Sequence, residues 1–261
     1  MPYPWLPPGT DHAFLTWGVV VADGRLVLWD IDHTLIDTGG VGREIYAAAF
    51  EQVTGRPMER QADPSGRTEP DIFRDTLAIH GIEPSADLAR FRDALAAGYA
   101  AKTPRLRERG HALPGAADAL AALAAMPGVI QSVLTGNFKP VAITKLATFG
   151  LDTHIDFEVG AYGCDDSVRA KLAEVARQRA STKYHTVFGE QTTILVGDTP
   201  SDVAAGHEGG ACVIAVASGR STLEELQAAG PEIVLPDLTD TPALVKALLA
   251  LDRSQRGSTS A

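Results

Sequence analysis

Cysteine is nearly absent from this chain: Cys164 and Cys212 are the only two in 261 residues, and they lie far apart. No disulfide framework or thiolate metal cluster is expected from such a pair. Cys212, inside the apolar run Ala211-Cys212-Val213-Ile214-Ala215-Val216, reads as a small core residue. Long hydrophobic runs are also missing, and none approaches the roughly 20 residues of a membrane span. The segment Met1-Pro2-Tyr3-Pro4-Trp5-Leu6-Pro7-Pro8-Gly9 is rich in proline and lacks the basic start of a signal peptide. These absences predict a soluble cytoplasmic protein. Positive charge is in deficit too, with 23 Lys and Arg against 33 Asp and Glu and a formal net charge of -10. That balance argues against a nucleic-acid surface. It leaves room for a small phosphorylated ligand, which local cations and backbone amides can hold. Lysine is scarce, and the first in the chain is Lys102.

A chain of this length accommodates one α/β core with a smaller second domain. Gly18–Val21 and Arg25–Leu28 suggest two strands joined by a turn at Asp23-Gly24. From about Val41 the apolar spacing turns helical: Ile45, Ala48, Ala49 and Val53 repeat along one face until Gly55-Arg56-Pro57 stops the helix. Further helices are predicted over about 71–80 and 86–101, so residues 38–112 read as an all-helical insertion. After Pro114-Gly115 the pattern alternates, with helices at 116–125, 140–149, 167–180, 201–208, 221–229 and 241–251. Strands are predicted between them at 129–134, 156–160, 193–197, 211–216 and 233–235. Such alternation implies parallel strands with right-handed crossovers, whose ligands bind beyond the carboxyl ends of the strands. The tail 253–261 reads as disordered.

Three apolar runs end in chemically suggestive residues. Leu26-Val27-Leu28-Trp29-Asp30-Ile31-Asp32-His33-Thr34-Leu35 delivers two aspartates into a turn. Carboxylates brought that close repel unless a divalent cation neutralises them or one holds a proton. Val129–Leu134 ends in Thr135-Gly136-Asn137, and Thr193–Val196 ends in Gly197-Asp198-Thr199-Pro200-Ser201-Asp202. All three endings fall at the predicted ligand-binding edge of the sheet.

DxDxT, then TGN, then GDTPxD, each closing a strand-like run, resembles the haloacid dehalogenase (HAD) superfamily of phosphohydrolases, and within it the phosphoglycolate-phosphatase-like members with a helical cap. The resemblance spans roughly residues 25–250. It implies an α/β fold: a three-layer, parallel-sheet, Rossmann-like core over 1–37 and 113–252, with an all-helical cap over 38–112. It also implies hydrolysis of a small phosphorylated metabolite through an aspartyl-phosphate. Asp30 would be the nucleophile, and Asp32 the acid toward the leaving group and then the base for water. Mg²⁺ would be held by the side chains of Asp30 and Asp198 and the main chain of Asp32. Thr135 and Gly136 would hold the phosphate, with Asn137 beside them. Thr34 is grouped with the substrate-binding residues and can also orient the turn by hydrogen bonding. His33 stands where the family often has glycine and is expected to line the site mouth.

The family also uses a lysine or arginine to offset charge on the nucleophile. Lys145, on the helix after TGN, is the favoured candidate, with Arg169 and Lys171 as alternatives. Asp202 would support that cation or a metal-bound water, unless it is simply a helix-start carboxylate favoured by the dipole. In the cap, Gly66-Arg67-Thr68 resembles the family's substrate-facing loop, and Arg67 could bind a second anionic group. A dehalogenase is disfavoured because Asp32 is present, and a phosphonoacetaldehyde hydrolase because the early cap lacks the lysine its Schiff base requires. A phosphomutase uses the same aspartates. A non-catalytic phosphometabolite-binding module would be expected to lose at least one of Asp30, Asp32 and Asp198. The sequence leaves the substrate and the choice between monomer and homodimer open.

Overall fold

The computed structural model describes residues 24–83 and 87–256. The strand expected at 18–21, the segment 1–9 and the chain end 257–261 lie outside the described residues. The core is built on a five-stranded parallel sheet of order β4-β1-β5-β6-β7. Its strands are β1 (Arg25–Trp29), β4 (Val129–Val133), β5 (Thr193–Gly197), β6 (Cys212–Val216) and β7 (Ile233–Leu235). β1 is an interior strand, between β4 and β5, and buried on both faces, which is why it reads as a continuous apolar run rather than an alternating one.

Alternate residues of β1 feed two different layers. Val27 and Trp29 pack with Ala116, Leu120 and Leu123 of α5 (Ala116–Ala124) and Leu244 and Leu248 of α10 (Thr241–Arg256). Leu26 and Leu28 pack with Leu172, Ala173 and Ala176 of α7 (Arg169–Tyr184) and Val203 of α8 (Pro200–Glu208). The result is the three-layer core expected from the sequence. Of the two polar groups that enter it from neighbouring strands, the Trp29 indole donates to Gln131 Oε1 at 3.1 Å, and Gln131 Nε2 donates to the Leu120 carbonyl at 2.8 Å, so both are satisfied.

Between β1 and β4 the chain leaves the core to form α1 (Val41–Thr54), α2 (Glu69–Ile79), α3 (Leu88–Ala101) and α4 (Thr103–Arg109). Their shared core contains a stack of rings: Phe73 lies over Phe91 with centroids 4.0 Å apart, and Tyr46 meets Phe91 edge-on at 4.9 Å. The stack continues to Phe138, just before α6 (Lys139–Thr148), at 6.5 Å from Phe91. Phe138 and Val141 belong to the same apolar cluster as the cap residues, so cap and core share buried surface.

The insertion is not wholly helical. Its two ends pair as an antiparallel ribbon, β2 (Ile36–Asp37) with β3 (His111–Ala112), because departing and returning chains pass side by side. Gly39, at φ 58°, permits that crossing: a Cβ there would lie 2.1 Å from the Arg109 carbonyl oxygen.

Three other expectations are corrected. The strand at 156–160 is absent and leaves a single bridge between Leu134 and Ala161. Asp156 N–H bonds to the Gln131 carbonyl and Ala161 N–H to the Val133 carbonyl, so five steps of chain answer two steps of strand and the segment bows outward. Helix α4 escaped prediction because only Leu106 among its residues is buried, and its charged sequence carries no apolar period. The tail expected to be disordered from 253 begins as helix, since α10 runs to Arg256. Arginine and glutamine there are good helix formers and prolong a helix already anchored by its apolar stripe. The last helix before β7 is α9 (Leu223–Ala229).

Candidate active site

Each predicted motif sits at the carboxyl end of a strand. Asp30 follows β1, Asp198 follows β5 at the adjacent position in the sheet, and Thr135 follows β4 on the other side of β1. Asp30, Asp198 and Asp202 are buried, and each offers a carboxylate oxygen within 4.8 Å of the others. Asp202 arrives through helix geometry: Thr199 caps α8, and the Asp202 carboxylate accepts from the Thr199 N–H at 3.1 Å and hydroxyl at 2.7 Å in a reciprocal capping box.

The cation against this triad is Arg169, not Lys145. Arg169 Nη2 donates to Asp30 Oδ1 at 2.9 Å and also to Asp202 Oδ1. Lys145 points to the other aspartate, with Nζ 2.8 and 2.7 Å from the two Asp32 oxygens and 2.6 Å from Asn137 Oδ1. Both cations were candidates, but which carboxylate each reaches depends on where α6 and α7 enter the site, and spacing along the chain does not encode that. Lys171 is excluded as a site cation: it is exposed and lies 3.7 Å from Asp166.

Only Ile31 separates Asp30 from Asp32, yet their electrostatics are opposite. Burial, then the neighbouring charge of Asp202, push the Asp30 carboxyl well above its usual range despite Arg169. Burial and Asp202 likewise push Asp198 up to about 7. Burial would raise Asp32 too, but the Lys145 charge and the Asn137 and Lys145 hydrogen bonds outweigh it and hold that carboxyl low. Asp202 has both oxygens engaged by Arg169 and Thr199, which makes it an anchor. The side-chain hydrogen bonds to Asp30 and Asp198 fall on Oδ1 of each, from Arg169 and Thr34. A set of hard oxygen donors with more buried negative than positive charge fits a divalent cation such as Mg²⁺.

The remaining predicted residues divide. Asn137 Nδ2 bridges Asp32 Oδ2 at 2.8 Å and Thr135 Oγ1 at 2.7 Å, so its amide organises the site. Thr135 Oγ1 accepts from the Asn137 N–H and Nδ2 and donates to no described residue, which leaves its hydrogen for a ligand oxygen. Thr34 is fully buried and donates to Asp198 Oδ1 at 3.1 Å, so it positions a carboxylate instead of meeting substrate. His33 adopts φ 66°, the left-handed region that favours glycine and that histidine tolerates better than most residues. Its partly exposed ring lies 3.9 Å from Asp37, and its carbonyl accepts from Ser218 Oγ. The Arg67 guanidinium pairs with Asp75 and with backbone carbonyls of the cap, so it is not held ready for a second anion. That loop meets the core through its backbone: a Cβ on Gly136 would lie 2.0 Å from the Arg67 carbonyl oxygen, and Glu69 N–H donates to the Gly136 carbonyl at 2.8 Å.

Two site features escaped sequence reasoning. Gly219, in the loop after β6, packs against Asp198: a Cβ there would fall 1.8 Å from Asp198 Oδ2. The rule that ligands bind beyond strand ends would have pointed to this loop, which carries no charged motif to mark it. Glu69, at the first position of α2, lies before the helix expected from about residue 71; its Oε2 is buried without a hydrogen-bond partner and burial pushes its carboxyl up to about 7.

Comparison with known proteins agrees with this geometry. The chain is 25% identical over 232 residues to "Probable phosphatase IndB" of Dickeya dadantii, an alignment covering 88% of this chain and 96% of that protein. Its fold is similar to that of a predicted phosphoglycolate phosphatase from Haemophilus somnus, with TM-score 0.60, 17% identity and coverage of 85% and 98% of the two chains. CbbY from Rhodobacter sphaeroides, solved with phosphate, gives TM-score 0.61 at 16% identity, covering 83% and 95%. Among the described residues no helix is long and apolar enough to cross a membrane. The family model for haloacid dehalogenase-like hydrolases matches residues 27–207, a span that takes in Asp30, Thr135, Asp198 and Asp202, and the chain belongs to that family.

Proposed function

We propose that this hydrolase is a Mg²⁺-dependent phosphatase that cleaves a small phosphorylated metabolite through an aspartyl-phosphate, and that it works in the cytoplasm, where its two free thiols suit a reducing compartment. One observation carries the reading: Asp30 and Asp198 bring carboxylate oxygens within 4.8 Å of each other at adjacent strand ends, with Asp32 held by Lys145 two residues further on.

Asp30 attacks phosphorus, the bond to the leaving alcohol breaks, and Asp32 supplies the proton to that oxygen. Ionised Asp32 then takes a proton from water, which attacks the acyl phosphate, and Asp30 and inorganic phosphate are released. Lys145 and Asn137 orient Asp32 and favour its ionised form, which the second step needs, while the first step draws on the protonated fraction. Thr135 Oγ1 and the Gly136 N–H hold the phosphoryl oxygens. Arg169 fixes the Asp30 carboxylate so that its other oxygen faces the phosphorus. Mg²⁺, held by Asp30, Asp198 and the main chain of Asp32, would neutralise the crowded carboxylates and polarise a phosphoryl oxygen.

Release of phosphate from an aryl phosphate, with and without Mg²⁺, tests the reading. Asp30→Asn is expected to lower kcat by at least about 10³-fold, since it removes the nucleophile. Survival of turnover in that variant would overturn the assignment. A phosphomutase would use the same carboxylates, and net release of inorganic phosphate without an added sugar bisphosphate separates the two.

A further inference from the structure

Beyond the catalytic carboxylates, the cap brings an acidic side chain to the seam with the core. Glu69 opens α2, and its N–H is tied to the Gly136 carbonyl at 2.8 Å, next to the phosphate-holding turn. The charges acting on its carboxyl are Lys145 and Asp32. Around it stand two tyrosines of the cap, Tyr46 and Tyr99, both buried and both within reach of its charge. Lys145 Nζ lies 5.2 Å over the Tyr99 ring.

Glu69 Oε2 is buried without a hydrogen-bond partner. Leaving such a group unsatisfied is costly, and more so where it is charged. Lys145 does not relieve Glu69, because its three N–H donors already have acceptors in the two Asp32 oxygens and Asn137 Oδ1. The α2 dipole favours a carboxylate at this position but supplies no donor to Oε2. Asp71, two residues on, takes the ordinary helix-start role by accepting from the Thr68 hydroxyl.

We infer that Glu69 is a specificity subsite for the leaving group, which accepts hydrogen bonds from a hydroxyl-bearing alcohol and rejects one bearing a carboxylate. This rests on the phosphatase reading above, because it takes Asp32 to mark where the leaving oxygen emerges. A carboxylate there would meet Glu69 and Asp32 together, with Lys145 already neutralised and Arg67 paired with Asp75. A polyol or sugar hydroxyl would instead donate to Glu69 Oε2 and satisfy that orphaned atom.

The test is a ratio. In wild type, kcat/KM for glycerol phosphate is expected to exceed that for propyl phosphate, and that for phosphoglycolate, by at least tenfold. Glu69→Ala should collapse the glycerol-to-propyl ratio toward one, mainly through KM, and raise relative turnover of phosphoglycolate. Glu69→Gln keeps an acceptor but loses the charge, so it should fall between and serve if the alanine variant does not fold. A wild type that prefers phosphoglycolate, or a ratio unmoved by either substitution, would overturn the subsite. If no ester is hydrolysed at all, the phosphatase reading fails by itself. The subsite is then read from melting temperature, where glycerol phosphate should stabilise wild type more than propyl phosphate does, and equal shifts would refute it.

Discussion

Asp30 and Asp32 leave the same strand end two residues apart, and the protein treats them in opposite ways. Around Asp30 three buried acids crowd together, only two of them paired with Arg169, and the carboxyl is driven up. Around Asp32 one acid is matched by one lysine and an amide, and the carboxyl is held low. Identical side chains two positions apart thus differ in company and in exposure, with the Asp32 side chain 36% exposed against 11% for Asp30. The under-neutralised pocket is suited to gather a divalent cation and a phosphoryl group, and the compensated one to take a proton from water. The separation of roles lies in the placement of two cations on two different helices.

Exchanging the cations' contributions should break that contrast most strongly. Arg169→Met would leave Asp30 and Asp202 facing each other in a buried site, at a cost of about 3–5 kcal/mol of stability by analogy with other broken buried pairs. It should also lower kcat with little recovery from added Mg²⁺, as read by denaturant unfolding and steady-state kinetics. Lys145→Met should act differently: with the lysine gone the Asp32 carboxyl rises, and the acid limb of the kcat–pH profile moves to higher pH. If both variants gave the same profile, the division between the two pockets would be wrong.

A subtler disturbance reaches only the metal-facing pocket. Gly219→Ala puts a methyl group where Asp198 Oδ2 now sits, so that carboxylate must move. The expected outcome is a loss of about tenfold or more in Mg²⁺ affinity, equal to about 1.4 kcal/mol, with the fold retained on circular dichroism. Unchanged titration of activity with Mg²⁺ would contradict it.

The electrostatic excess also predicts how stability follows pH. Asp198 has a folded-state value raised from 3.8 to about 7, so over that interval the folded chain binds more protons than the unfolded chain. Stability of the metal-free protein therefore falls as pH rises between those values and levels off above. Mg²⁺ binds the ionised form and should flatten the slope, which melting temperatures across pH with and without the ion would show. The smallest effect is expected from Thr34→Val, which deletes one hydrogen bond to Asp198 and should cost about 1 kcal/mol, measured by denaturant unfolding.

Much of this architecture is legible along the chain because its signals are local. Apolar runs such as Leu26–Trp29 and Thr193–Val196 declare buried parallel strands, and the residues that end them are carried to one edge of the sheet by topology alone. Elements without a local signal stayed hidden: α4 has a single buried residue, and the 156–160 segment is apolar enough for a strand but is pinned at its ends while its middle bows away. Glu69 was hidden for another reason. In sequence it is an acid just before a predicted helix, and only the closeness of Gly136 shows that it is enclosed at the seam between cap and core.

The amino-acid order by itself determined the parallel α/β core, the inserted helical cap and the arrival of Asp30, Asp32, Thr135 and Asp198 at one edge, since periodicity and strand ends are properties of short segments. Only the tertiary structure decided that Arg169 faces Asp30 while Lys145 faces Asp32, that Arg67 is tied to Asp75, and that Gly219 and Glu69 border the site. Those outcomes turn on separations of a few ångströms between residues distant in the chain. Coulomb and hydrogen-bond energies change steeply over such distances, whereas spacing along the chain carries no record of them.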